Sequence, residues 1–116
     1  MDAQTAHQRA SEVFFLDVRE PDEWNAGHIE GALHIPLKEL PSRLEELAKD
    51  MPVVAVCHVG QRSDLAAGFL RQNGFEAHNL EGGMAEWARL GLPFVSGAGD
   101  RGQVVDGFAR DFNGLL

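Results

Sequence analysis

Cysteine is almost missing from this chain: Cys57 is the only one among 116 residues. No internal disulfide can form, and the set of thiolates that a cysteine zinc site would use is lacking. Basic residues are scarce too, with ten Lys and Arg against eighteen Asp and Glu, for a net charge of −8 at pH 7. Such a surface repels phosphate backbones and anionic lipid at long range, so neither nucleic acid nor membrane is expected as a partner. Long apolar runs are lacking: a stretch such as Val53 to Cys57 cannot cross ~30 Å of hydrocarbon. Met1-Asp2-Ala3-Gln4-Thr5 has neither the basic start nor the apolar stretch of a secretory signal, and the expected location is cytoplasmic. His7, His28, His34, His58 and His78 show no metal-ligand spacing, so no metal and no cofactor are expected. An apolar share of 44% and a charged share of 24% set aside disordered, collagen-like and coiled-coil classes.

What is present alternates between strand-like and helix-like stretches. Val13-Phe14-Phe15-Leu16-Asp17-Val18 is a run apolar on both faces, as expected for a buried parallel strand. Arg19 to Trp24 reads as a loop, and Ala32-Leu33-His34-Ile35 as a short strand stopped by Pro36. Leu37, Leu40, Leu44 and Leu47 recur at three- and four-residue intervals, which predicts an amphipathic helix starting at about Pro41. Val53-Val54-Ala55-Val56 is the clearest strand. A helix that Ser63 and Asp64 can open follows, closing at Asn73-Gly74. Ala77 to Leu80 is a weaker strand, and Gly82-Gly83 leads into a short helix over Met84 to Leu90. Strands separated by helices define an α/β fold, a mostly parallel sheet of four to five strands with helices on both faces. Composition shifts near Ser96, after which residues 97–116 form a Gly-rich tail. Val104, Phe108 and Phe112 fall four apart there, consistent with a short amphipathic helix that packs on its own domain or on another chain. A monomer or a homodimer follows from those two cases.

Candidate chemistry gathers at Cys57-His58-Val59-Gly60-Gln61-Arg62-Ser63. In open α/β sheets ligands sit beyond the carboxyl ends of strands, and Cys57 stands where the best strand ends and a helix is about to begin. Unpaired amides at a helix start favour an anion in front of them. A loop curled so that the amides from His58 to Ser63 converge on the sulfur would stabilise a thiolate and, equally, a negatively charged atom added to it. Gly60 supplies the backbone freedom for that curl, and Arg62 is expected to fold over the rim and bind an incoming anion. His58 is expected to face solvent, and Ser63 to cap the helix. The bland alternative makes Cys57 a small hydrophobe at the end of a core strand.

Taken in order, Leu16-Asp17-Val18-Arg19-Glu20-Pro21, Gly27-His28-Ile29-Glu30-Gly31-Ala32, Ile35-Pro36, the Cys57 to Ser63 loop, and Leu80-Glu81-Gly82-Gly83 with Trp87 resemble the successive motifs of a single-domain rhodanese. The resemblance spans residues 12–93 within an expected domain of residues 1–96. It implies a sulfurtransferase that moves a sulfane sulfur, from a donor such as thiosulfate to a thiophilic acceptor such as cyanide or a thiol, through a persulfide on the loop cysteine. By position, Cys57 and Arg62 match the catalytic pair, and His58, Val59, Gly60, Gln61, Arg62 and Ser63 match the substrate cradle. The resemblance gives Asp17 a scaffold role, puts Arg19 at the pocket mouth or in a surface ion pair, makes His28 structural, and lets Gly82 and Gly83 pass close beside the loop. The start of the chain has room for one small helix from about Ala3 to Ala10 but none for the strand with which such domains usually begin. The implied partners are a small sulfur donor and a thiophilic acceptor, either of which could be a protein persulfide. The cysteine-to-arginine spacing is one residue shorter than in protein tyrosine phosphatases, which suits one sulfur atom better than a phosphoryl group. The alternative is a non-catalytic module that docks partners or carries a persulfide.

Overall fold

The computed structural model describes residues 1–97. The expected amphipathic helix over 104–116, and all of the tail after Gly97, lie outside the described residues.

Four strands, β1 (Phe14–Asp17), β2 (Leu33–His34), β3 (Val53–Val56) and β4 (Ala77–Asn79), form one sheet in the order β2-β1-β3-β4. All three pairings are parallel, with Asp17 beside Val56 and Ala55 beside Asn79. Parallel neighbours need crossover connections, which cover both faces of a sheet with helix. The central strand β3 is buried at all four positions. Its side chains alternate, as a period of two dictates. Val53, Ala55 and then Cys57 enter one core layer with Leu16, Ile35, Leu40, Ala66 and Leu70. Val54 and Val56 enter the other, with Phe15, Ala6, Leu80, Met84 and Trp87. Helix α3 (Gln61–Gln72) covers the first layer; α1 (Ala3–Gln8) and α4 (Gly83–Arg89) cover the second.

Three stretches differ from the sequence expectation. The segment read as a loop holds a helix, α2 (Pro21–Ala26), with Pro21 in its first turn and the Glu20 amide donating to Glu23 Oε1 at 3.1 Å. Proline presets the backbone angle for a first helical turn, where its missing N–H costs nothing. The stretch expected to be an α-helix from Pro41 is instead two 3₁₀ turns, Leu37–Ser42 and Leu44–Glu46. Amides there reach three residues back, as in Arg43 to the Leu40 carbonyl and Leu47 to the Leu44 carbonyl. Pro41, inside the first turn, has no N–H for an α-type bond and crowds the carbonyl four residues earlier. The leucine spacing fits either geometry. The third difference is at the start of α3, which opens on Gly60 and Gln61 rather than on Ser63.

The end of α3 follows expectation. Gly74 has φ +88° and its amide donates to the Arg71 carbonyl, while the Phe75 amide donates to that of Leu70, the paired bonds of a left-handed helix stop. After α4 the chain returns as Val95, which exchanges amide and carbonyl bonds of 2.8 Å with His28.

Candidate active site

The segment Cys57 to Gly60 joins the carboxyl end of β3 to the first turn of α3. Gly60 takes φ +111°, a conformation that side-chain-bearing residues rarely adopt, as the chain turns from the loop into α3, and its amide donates to the Cys57 sulfur at 3.1 Å. The Ser63 hydroxyl, one turn into α3, lies 3.2 Å from the same sulfur. Asn79, at the carboxyl end of β4, binds both sides of this arrangement. Its Nδ2 donates to the Gly60 carbonyl at 3.1 Å, and its Oδ1 accepts from Ser63 Oγ at 2.5 Å.

The carbonyls of the loop are tied away from the sulfur by α4. The Met84 amide donates to the Cys57 carbonyl at 2.8 Å, and the Ala85 amide to the His58 carbonyl at 3.0 Å. Helix starts leave their first amides without intrahelical partners, and here two of them hold the peptide units that flank the thiol. The approach is so close that a Cβ on Gly83 would lie 2.4 Å from the Cys57 carbonyl oxygen and 2.5 Å from that of His58. The expected close pass of Gly82 and Gly83 is therefore met at Gly83 by backbone on backbone.

Two buried ion pairs stand among the residues singled out from sequence. Arg62 is 3% exposed and its Nη1 and Nη2 donate to Glu23 Oε1 and Oε2 at 2.8 and 2.9 Å. Glu23 is 0% exposed. Arg19, fully buried as well, donates to both Asp17 carboxylate oxygens and to the Gly27 carbonyl at 2.7 Å. The fork of a guanidinium matches a carboxylate in this two-bonded way, which fixes orientation as well as charge.

The structure thus brings Cys57, Gly60 and Ser63 into mutual contact and turns other expected residues elsewhere. Arg62 does not fold over the rim; its guanidinium is directed inward to α2, because Glu23 offers it a paired acceptor in the interior. Arg19 is neither at a pocket mouth nor in a surface pair. Ser63 is not a cap: Gly60 occupies the cap position, so the hydroxyl is free to reach the sulfur. His58 is only half-exposed, and its Nδ1 is buried without a hydrogen-bond partner. Val59, at 41% exposure, and Gln61 form the outer surface of the loop. Cys57 itself is 0% exposed, so the sulfur lies beneath the loop, closed to solvent. His28 is structural as expected, its Nδ1 on the Trp24 carbonyl and its ring stacked on Trp24 at 3.5 Å. Trp87 packs in the core and donates to the Pro93 carbonyl.

Two residues at the site were not anticipated from sequence, Glu23 and Asn79. For Glu23 a signal existed, since Pro21 followed by Glu23 is a helix-start pattern in which an acid at the third helical position reaches back to the amide before the helix, here that of Glu20. For Asn79 the signal was a polar residue at the carboxyl end of the strand next to Cys57, the region where sites form in such sheets.

The model of the rhodanese-like domain matches residues 2–90. A sulfurtransferase of Allochromatium vinosum is 39% identical over 103 residues, which cover 85% of this chain and 96% of that protein. A putative sulfur carrier protein of Bacillus subtilis, YrkF, is 41% identical over 73 residues, 62% of this chain but only 40% of its own length. Among solved structures, a rhodanese-related protein from Thermoplasma volcanium superposes with a TM-score of 0.79 at 34% identity, covering 82% of this chain and 95% of the other. The four-stranded parallel sheet with helices on both faces is the fold these structures share. The chain belongs to the rhodanese-like domain family.

Proposed function

We propose that this protein is a sulfurtransferase in which Cys57 carries a sulfane sulfur as a persulfide. The observation that carries the reading is the convergence of the Gly60 amide and the Ser63 hydroxyl on the one thiol of the chain, at the switch from strand to helix. The similarity to a sulfurtransferase along 96% of that protein's length supports it. With thiosulfate as donor, the Cys57 thiolate attacks the outer sulfur, the S–S bond of thiosulfate breaks, and sulfite leaves with the bonding pair. The product is the Cys57 persulfide anion. Cyanide or a thiolate then attacks the terminal sulfur, takes it, and returns Cys57 as thiolate. Both steps conserve charge and need no cofactor. The Gly60 amide acts as a preformed dipole toward the negative charge, which the transfer moves but does not create. Because the chain has no second cysteine, the persulfide is discharged to an outside nucleophile. A net charge of −8 is ill suited to attract dianionic thiosulfate at long range, which favours a protein or low-molecular-weight persulfide as the working donor.

The complete burial of Cys57 favours a second reading, a module that docks partners without turning over sulfur. The two are separated by incubation with thiosulfate followed by cyanide. Wild type forms thiocyanate, and Cys57→Ala forms none above the uncatalysed background. A wild type no faster than Cys57→Ala, with thiosulfate and with a persulfide donor alike, leaves the docking reading.

A further inference from the structure

The hydrogen bonds around Cys57 close into a ring whose direction is set by Asn79. The Gly60 carbonyl can only accept, so the Asn79 amide must present Nδ2 to it. That leaves Oδ1, another pure acceptor, facing Ser63 Oγ. Ser63 has one hydroxyl hydrogen, and two acceptors compete for it, Asn79 Oδ1 and the sulfur. While the hydrogen lies toward Asn79, Ser63 shows the sulfur a lone pair. The arrangement is then satisfied by a thiol: S–H donates to Ser63 Oγ, Ser63 donates to Asn79, Asn79 donates to the Gly60 carbonyl, and the Gly60 amide donates back to the sulfur.

A thiolate or a persulfide has no hydrogen on Sγ. Either two lone-pair atoms then face each other across 3.2 Å, or Ser63 turns its hydrogen to the sulfur and Asn79 Oδ1 loses its donor. One hydrogen bond is forfeited in both cases. We propose that Asn79 is a positioning residue which, by holding the Ser63 proton away from Cys57, favours the resting thiol and poises the sulfur-loaded state to give its sulfur up. This rests on the sulfurtransferase reading for its consequence, though not for its chemistry.

The test uses the full chain and opposed substitutions. Asn79→Leu removes the competing acceptor, so Ser63 donates to sulfur. Alkylation of Cys57 by iodoacetamide at fixed neutral pH should accelerate roughly threefold to tenfold, with a matching rise in thiolate ultraviolet absorbance. Asn79→Asp keeps an acceptor for Ser63 and should slow alkylation. Both variants lose the bond to the Gly60 carbonyl, so a residue that only anchors the loop would shift both in the same direction. Adding Ser63→Ala to Asn79→Leu should erase the gain. Asn79→Ala serves in place of the leucine variant if the latter does not fold. Changes of the same sign in the leucine and aspartate variants, or a gain that survives Ser63→Ala, would overturn the assignment. These readings use no sulfur donor, so they stand or fall apart from the transfer reaction. If wild type does load sulfur, the Asn79→Leu persulfide should be discharged by cyanide several-fold more slowly than that of wild type.

Discussion

Glu23→Ala lowers the free energy of unfolding by about 3–5 kcal/mol, a large part of the roughly 5–15 kcal/mol that holds a domain of this size together. The side chain accepts two bonds from Arg62 in a place where both residues are almost wholly hidden from water. Without that carboxylate the buried guanidinium keeps its desolvation cost and loses two charge-assisted bonds that offset it in part. The pair also links α2 to the first turn of α3, so the loop that begins α3 loses a fixed point. The melting temperature should fall by on the order of 15 °C or more. Glu23→Leu combined with Arg62→Met should recover most of that loss, because an apolar pair of similar volume carries no desolvation cost. If Glu23→Ala melts within a few degrees of wild type, the pair is not the brace described here.

Gly83→Ala has the largest effect expected on the site itself. Its Cβ would sit 2.4 Å from the Cys57 carbonyl oxygen and 2.6 Å from the His58 carbonyl carbon. These are backbone atoms, which cannot swing aside as a long side chain does. The residue also has φ +58°, which adds a further penalty of about 1–2 kcal/mol for any residue with a Cβ. The peptide units on either side of the thiol must move, and with them the Gly60 amide that faces the sulfur. Displacements near 1 Å can reduce turnover roughly a hundredfold, and sulfur transfer should fall to that extent in protein that remains folded. Gly68→Ala is the control. That glycine lies within α3 with nothing within 4 Å of its added Cβ. Alanine there should stabilise the fold by about 0.5–1 kcal/mol and leave transfer unchanged. Equal transfer rates in the two variants would contradict the role given to the α4 start.

The sheet was legible in the sequence because its strands are short apolar runs with turn residues between them, and Val53 to Val56 could be little else. The position of Cys57 was legible for the same reason, since a strand end beside a glycine and a helix start has few possible geometries. The segment after Pro36 was not, because leucines three and four apart line one side of an α-helix and of successive 3₁₀ turns alike. Pro41 stops an α-helix from running through from Leu37, but the spacing of the leucines does not show that the turns on either side stay 3₁₀. The direction of Arg62 was illegible for a different reason. A guanidinium in a first helical turn points outward unless a buried acceptor draws it in, and that acceptor, Glu23, is 39 residues away in sequence. Asn79 escaped notice likewise, since its partners Gly60 and Ser63 belong to another strand–helix unit. Side chains that meet across crossovers leave no local periodicity to detect. The depth of the thiol follows from the same alternation that builds the core: Cys57 continues the inward positions Val53 and Ala55, so it is at once the last core residue of β3 and the candidate nucleophile.

The most direct measurement is the mass of the intact protein after incubation with a sulfane sulfur donor and removal of excess reagent. The expected product is a species heavier by one sulfur atom, located on Cys57 by peptide mapping, reversed by cyanide, and missing from Cys57→Ala. Wild-type protein that never gains that atom, with thiosulfate or with a low-molecular-weight persulfide, would contradict it.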